Sequence, residues 1–358
     1  MKSGRARAEA LLSGAARCED DAVGAALARR DARALGDAIT ALAHAAPLTV
    51  APVEGRWVSL GARLRRRPRP GGADVAEATL YLVSAQASAQ ESVSRLVERW
   101  PLREGPPAQH QVWRGLPLGA LARGQLVVEG ARREGDRLHL TRGATSVTPQ
   151  RGAWDTLPVA FTRVAALPPP APPWAPPAVA ALRLGAVTEL GFARGAQTLY
   201  GEVADPHGAR LPIALPHRAE TPGAIDALAA ALDDAPRWIS GIVRARHGRP
   251  TLEPLAVVTD RVLSIDLETA PARALPDATP PDRGHALVLT RAIAALDALA
   301  LRALGGAPDA FPPEGLSLHA DALRAAGLDR CAAALEAVRD PASWLDASTR
   351  LRLARSLA

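Results

Sequence analysis

The chain reads as an α+β protein of several modules, with helical regions at both ends and two β-rich modules between them. Three observations predict this. Apolar residues recur at three and four up to about residue 48, alternate in twos from about 50, and return to helical spacing from about 284. A proline-rich run at 167–178 cuts the β-rich stretch in two. After that run the segments follow the order strand, strand, strand, helix, strand, strand.

The N-terminal region, 1–48, opens on RARAEALLSGAARC, DDAVGAALARR and DARALGDAITALAHA. Leu35, Ile39 and Leu42 share one face of the third segment, so helix–helix packing is expected. The first β-rich module, 49–166, contains TVAPVEGRWVSLGARLRR and VAEATLYLVSA as strands with PRPGG as the turn between them. ASAQESVSRLVERW reads as a helix with Val93, Leu96 and Val97 on one face. GQLVVEGARREGDRLHLTRG is a hairpin turning at Glu134-Gly135-Asp136, and Leu138 and Leu140 alternate with Arg137 and His139. The linker LPPPAPPWAPPA, 167–178, favours polyproline II and would space two modules by roughly 35 Å.

The second module, 179–268, gives ALRLGAVTELGF, TLYGEVAD and ARLPIALPHR as strands and TPGAIDALAAALDD as a helix. Thr221 stands as its cap, Pro222 at its first position, and Ile225, Leu228 and Leu232 form its buried stripe. PRWISGIVRARHG and PTLEPLAVVTD return as two strands. This order is that of an OB-fold, a small Greek-key barrel with one helix. The first module reads as a diverged copy. Thr79-Leu80-Tyr81 parallels Thr198-Leu199-Tyr200, and both modules carry a basic Gly-turn hairpin near their ends. Residues 284–358 form a C-terminal helical bundle beginning with GHALVLTRAIAALDALALRALGG.

Composition bounds the function. Aromatic residues are 3% of the 358 and net charge is +6, with a pI near 10.4 because Lys2 is the only lysine and Arg does not titrate. No apolar run reaches the roughly 18 residues a membrane helix needs, and the N-terminus lacks the apolar core of a signal peptide. The chain is expected to be cytoplasmic, with no membrane partner. Cys18 and Cys331 stand alone, which argues against zinc. There is no Gly-x-Ser-x-Gly elbow, phosphate loop or His-Glu-x-x-His, so no catalytic residue and no cofactor is implied.

In RVLSIDLETAPA, 261–272, an apolar strand delivers Asp266 and Glu268 at its end. This resembles the first metal-binding motif of proofreading-type 3′–5′ exonucleases with an RNase H-like fold, in which an Asp-x-Glu pair holds two divalent ions. The resemblance covers about ten residues and lacks the later acids that two-metal chemistry requires. The simpler expectation is a strand ending in solvated acids at a domain boundary.

The function read from the sequence is a non-enzymatic binding protein. It would bind single-stranded DNA or RNA through OB-like modules, or serve as an accessory subunit of a nucleic-acid complex with protein partners. The alternatives are a protein–protein adaptor without nucleic acid and, third, the metal-dependent exonuclease. The candidate contacts are Tyr200 and Trp238 for stacking, with Arg244, Arg246 and Arg249 in the second module. Arg132, Arg133 and Arg137 in the first module, and Arg65, Arg66, Arg67 and Arg69 in its densest basic run, would contact phosphates. Trp344 is read as either a core residue or a partner anchor.

Overall fold

The structure is a computed structural model. It describes residues 4–13, 21–45, 50–67, 74–84, 93–101, 108–113, 116–140, 145–148, 154–155, 157, 163–172, 174–188, 190–246, 249–279, 285–305, 311 and 315–357. Helices α1 (Gly4–Leu12), α2 (Asp21–Ala28) and α3 (Ala32–Ala43) open the chain. Asp31 caps α3 by accepting a hydrogen bond from the Ala34 amide at 3.0 Å.

The first barrel comprises β1 (Val50–Arg67), β2 (Val75–Ser84), β3 (Ser94–Pro101), the ribbon β4 (Val112–Trp113) with β5 (Leu116–Pro117), helix α4 (Leu118–Arg123), β6 (Gln125–Glu134), β7 (Arg137–His139) and β8 (Thr145–Thr148). Its strands run β1-β2-β3-β7-β6, and β6 pairs back onto β1, closing five strands into a barrel. The contact between β3 and β7 is parallel, and the other barrel pairs are antiparallel. The segment expected to be a helix is β3 instead. It pairs with β2 from Leu82↔Ser94 to Val75↔Pro101. The spacing of Val93, Leu96 and Val97 fits a helix, but Ser94 and Leu96 also alternate with Arg95, Val97 and Arg99. Filling the gap between β2 and β7 outweighs a weak local preference. The module's helix is α4, which sits between its third and fourth strands.

The second barrel repeats this arrangement. Its elements are β9 (Val179–Arg183), β10 (Ala186–Val187), β11 (Gly191–Ala193), β12 (Thr198–Ala204), β13 (Arg210–Pro216), α5 (Ala224–Asp233), β14 (Trp238–Arg246), β15 (Arg249–Val258) and β16 (Val262–Ser264). The strand β9 pairs with β14, and its continuation β10 pairs with β12, so this barrel closes as well. Again the third and fifth strands, β13 and β15, meet in parallel. Leu80 and Leu199, the central residues of the matched tripeptides, both lie in barrel interiors on second strands. Ile225, Leu228 and Leu232 of α5 plug the second barrel as expected. The side chain of Thr221 does not cap α5, however. Its hydroxyl is buried without a partner, and its carbonyl accepts from the Ala224 amide at 3.1 Å.

Helices α6 (Ala286–Leu304), α7 (Ser317–Ala325), α8 (Asp329–Glu336) and α9 (Pro341–Leu357) join α1–α3 in one bundle. Trp344 belongs to its core, is fully buried, and donates its indole N–H to the Leu296 carbonyl at 2.8 Å. No helix among the described residues is long and apolar enough to cross a membrane.

The barrels touch directly and are not held apart by the proline-rich segment. Val58, Leu60 and Val83 of the first pack with Val179, Trp238, Ile242 and Leu255 of the second in one buried cluster. Ser240 Oγ donates to the Leu60 carbonyl at 2.5 Å, and the Ala62 amide donates to Ser264 Oγ at 3.0 Å. Gly61 sits at a bulge in β1 with φ of 106°, and a Cβ there would stand 2.9 Å from the Leu255 carbonyl oxygen. Only glycine meets both demands.

Candidate nucleic-acid interface

The pleat of the first barrel sorts its residues onto two faces. Ala62, Leu64, Ala78, Leu80, Leu82 and Leu96 point inward and fill the barrel. Their neighbours Arg65, Arg67, Glu77, Thr79, Tyr81, Arg95, Val97 and Arg99 therefore point outward from β1, β2 and β3 and line one cleft. Register aligns them in rows. Arg65, Glu77 and Arg99 stand opposite one another across three strands, Arg63, Thr79 and Val97 form the next row, and Tyr81, Arg95 and Arg137 the one after it. Val243 and Arg244 of the second barrel, together with Ala171, Pro172, Ala175 and Pro177, wall the other side of this cavity of about 360 Å³. The strand 2–3 face and the 1–2 and 4–5 connections are where OB-folds receive oligonucleotides.

Six arginines and one carboxylate line the cleft. Glu77 is shared: Arg67 donates to its Oε1 at 3.0 and 3.1 Å, and Arg99 donates to its Oε2 at 2.8 Å. Burial alone would raise the Glu77 carboxyl, but these guanidinium groups hold it below its ordinary value. Arg95 is tied to Asp136 in the 4–5 turn, with its Nη2 2.9 Å from Oδ1. Arg244 donates to Glu253 at 3.2 Å. Arg65 and Arg137 have no acidic partner among the described residues. Desolvation by the cleft walls, joined by the like charges of Arg67, Arg244 and Arg63, holds the Arg65 guanidinium below its usual value. Tyr81 forms the buried floor, and its burial pushes the phenol up. The cleft thus offers cationic forks for phosphate and no exposed ring on its floor.

Behind the cleft lies a buried ion network that absorbs the Asp266–Glu268 pair. Asp266, expected to be solvated, has a fully buried side chain within the short turn Ile265–Leu267. Arg218 clasps it in bidentate fashion at 2.6 and 2.9 Å, the Leu64 amide donates to it at 2.8 Å, and Arg63 lies 3.5 Å away. Arg63, itself buried, reaches Glu253 at 3.1 Å, and Glu253 reaches Arg244. Burial would raise Glu253, but the charges of Arg63, Arg244 and Arg218 outweigh it and hold the carboxyl at about 2. Glu268 forms an ion pair with Arg123 at 2.7 Å. The two acids are structural ties between the barrels, and among the described residues no group of three His, Cys, Asp or Glu side chains is placed to hold a metal.

Of the residues singled out from the sequence, Arg65, Arg67, Arg137 and Arg244 converge in the cleft. Arg66 lies at the strand end against Asp74, and Arg69 lies outside the described residues. Arg132 and Arg133 lie on β6 away from the cleft, and Arg246 and Arg249 sit at the tip of the β14–β15 hairpin. Trp238 is buried between the barrels against Trp154, its indole N–H donating to Asp155 at 3.3 Å. Trp238 does share a face of β14 with Ile242 and Arg244, opposite Ile239 and Val243, but at its end of the strand the first barrel covers that face. Tyr200 is half-buried on β12, where the equivalent face of the second barrel carries the Glu202–Arg210 pair and Pro212. Arg95 and Arg99 escaped notice because their segment read as a helix. The available signal was the alternation of Arg95, Val97 and Arg99 around buried Leu96.

The second barrel has a recognisable relative. Residues 177–284 match the family described as the YehQ C-terminal OB-fold domain. The chain is also 32% identical to Protein YehQ of Escherichia coli (strain K12) over 224 residues, which is 55% of this chain and 36% of that protein. It therefore spans about a third of the length of that relative. Solved structures described as "Structural mimicry for functional antagonism" and "Molecular basis for abrogation of activation of pro-inflammatory cytokines" overlap it at TM-scores of 0.26 and 0.25, with 8% and 7% identity. They cover 59% and 61% of this chain and 92% and 95% of theirs. Overlap at that level carries no weight for fold or function.

Proposed function

We propose that the protein binds single-stranded nucleic acid along the outer face of β1, β2 and β3 in the first barrel, chiefly through the phosphate backbone. The observation that carries this reading is the convergence of six arginines in the cleft over the oligonucleotide-receiving face of a closed OB barrel, two of them without acidic partners among the described residues. Guanidinium forks match phosphate geometry, and the buried position of Tyr81 leaves this face little means of reading bases. The second barrel, whose equivalent face carries its own Glu202–Arg210 ion pair, serves as the platform. It fixes Arg244 and, through Glu253 and Asp266, the back wall of the cleft.

The test is a fluorescence-anisotropy titration of labelled single-stranded DNA and RNA against the full chain at several salt concentrations. Binding that weakens steeply with salt, at similar affinity across sequences, supports the reading. Absence of binding to either strand at low salt overturns it and leaves the adaptor role.

A further inference from the structure

A second basic cavity of about 370 Å³ adjoins the first, with Ala171 and Arg244 lining both. It lies where the helical bundle, the second barrel and the proline-rich segment meet, and its walls include Arg33 of α3 and Arg355 of α9. Neither arginine has an acidic partner among the described residues, whereas Asp37 and Arg352 in the same wall are paired at 2.9 Å. The cavity also holds what the first lacks, an accessible aromatic ring. Trp174 is half-buried on the proline-rich segment, lines the cavity, and stacks on His44 with ring centroids 4.3 Å apart and planes 16° from parallel. His44 is held from behind by Thr349 at 2.9 Å. A turn closed by the Ala175 amide on the Pro172 carbonyl, 3.0 Å, sends Pro172 and Ala175 to one cavity and Trp174 to the other.

We infer that this second cavity is a nucleobase subsite, in which Trp174 stacks a base of the same strand whose phosphates occupy the first cleft, and Arg33 and Arg355 hold the flanking phosphate. The inference rests on the nucleic-acid reading above and extends the track from the first barrel to the helical bundle. It assigns the proline-rich segment a recognition role. Proline stiffness keeps the ring presented at little entropic cost, and the His44 stack fixes its plane.

The experiment compares the full chain with Trp174→Ala and Trp174→Phe, titrated with labelled oligothymidylate of about 12 nucleotides and with an abasic strand of equal length. Wild type should bind the thymidylate more tightly than the abasic strand. Trp174→Ala should weaken thymidylate binding about tenfold and leave abasic binding unchanged, and Trp174→Phe should keep most of the preference. Equal affinity of wild type for the two strands, or loss of both strands together in Trp174→Ala, overturns the subsite while the phosphate cleft stands. Failure of wild type to bind either strand overturns the underlying reading itself.

Discussion

Replacing Asp266 with alanine should unfold the junction between the barrels rather than remove a catalytic group. The wild-type carboxylate is fully buried and receives Arg218 at 2.6 and 2.9 Å and the Leu64 amide at 2.8 Å, with Arg63 3.5 Å away. Alanine leaves Arg218 without an ion-pair partner among the described residues and leaves Arg63 with Glu253 alone. Breaking a buried pair by removing one partner typically costs about 3–5 kcal/mol, most of it from the charge left behind. For a chain of this size that corresponds to a fall in Tm of about 5 °C. Urea unfolding and thermal melts followed by circular dichroism measure it. A loss below about 0.5 kcal/mol, the range of an ordinary surface change, would refute the structural role. So would a Mg²⁺- or Mn²⁺-dependent nuclease activity abolished in a variant of unchanged stability.

Four further outcomes are expected. Arg65→Ala and Arg137→Ala should each lower the salt dependence of single-strand binding by about one unit of slope, with stability unchanged within about 0.5 kcal/mol. Gly61→Ala should destabilise the protein by more than about 1 kcal/mol in denaturant titration, because alanine meets both the positive φ and the Leu255 carbonyl. Trp344→Ala should cost about 3–5 kcal/mol through the cavity it opens in the bundle, without altering strand affinity at a temperature where it stays folded. Two carboxyls should leave opposite signatures in stability measured against pH. Glu253, depressed to about 2, contributes stability that is present above its ordinary 4.5 and lost as pH falls toward 2, a loss that Glu253→Gln should remove. Asp297 is raised to about 7 by burial, which outweighs the opposing pull of Arg352, so its contribution is present below its ordinary 3.8 and lost as pH rises through 7, and Asp297→Asn should flatten that part of the curve.

Much of the architecture could be read in the residues. Apolar spacing located both helical regions, and the strand order after Val179 identified the second barrel as OB-like. Local pattern failed where tertiary pairing decided the outcome. The segment around Leu96 satisfies both a helical and an alternating template, and only the gap between β2 and β7 selects the strand. The site was half legible for the same reason. Arg65, Arg67, Arg137 and Arg244 stood out as basic residues on strands, but Arg95 and Arg99 join them only once β3 is a strand. Asp266 misled in both directions. Its place at a strand end suggests solvent or a metal, and nothing local to it announces Arg218, 48 residues earlier, or Arg63 on the other barrel. Trp174 looked like part of a spacer because proline content describes stiffness and not what the stiff segment rests against.

The most direct test of the central claim is a localisation experiment by charge reversal. The pair Arg65→Glu with Arg137→Glu alters the two cleft arginines that have no acidic partner among the described residues, and the control pair Arg132→Glu with Arg249→Glu makes the same change in net charge outside the cleft. Single-strand affinity is measured by anisotropy at one moderate salt concentration. The account predicts that the cleft pair weakens binding by about 100-fold or more and that the control pair weakens it by less than about fivefold. Equal losses from the two pairs would show that only overall charge draws the strand, and would contradict a binding site on the face of β1, β2 and β3.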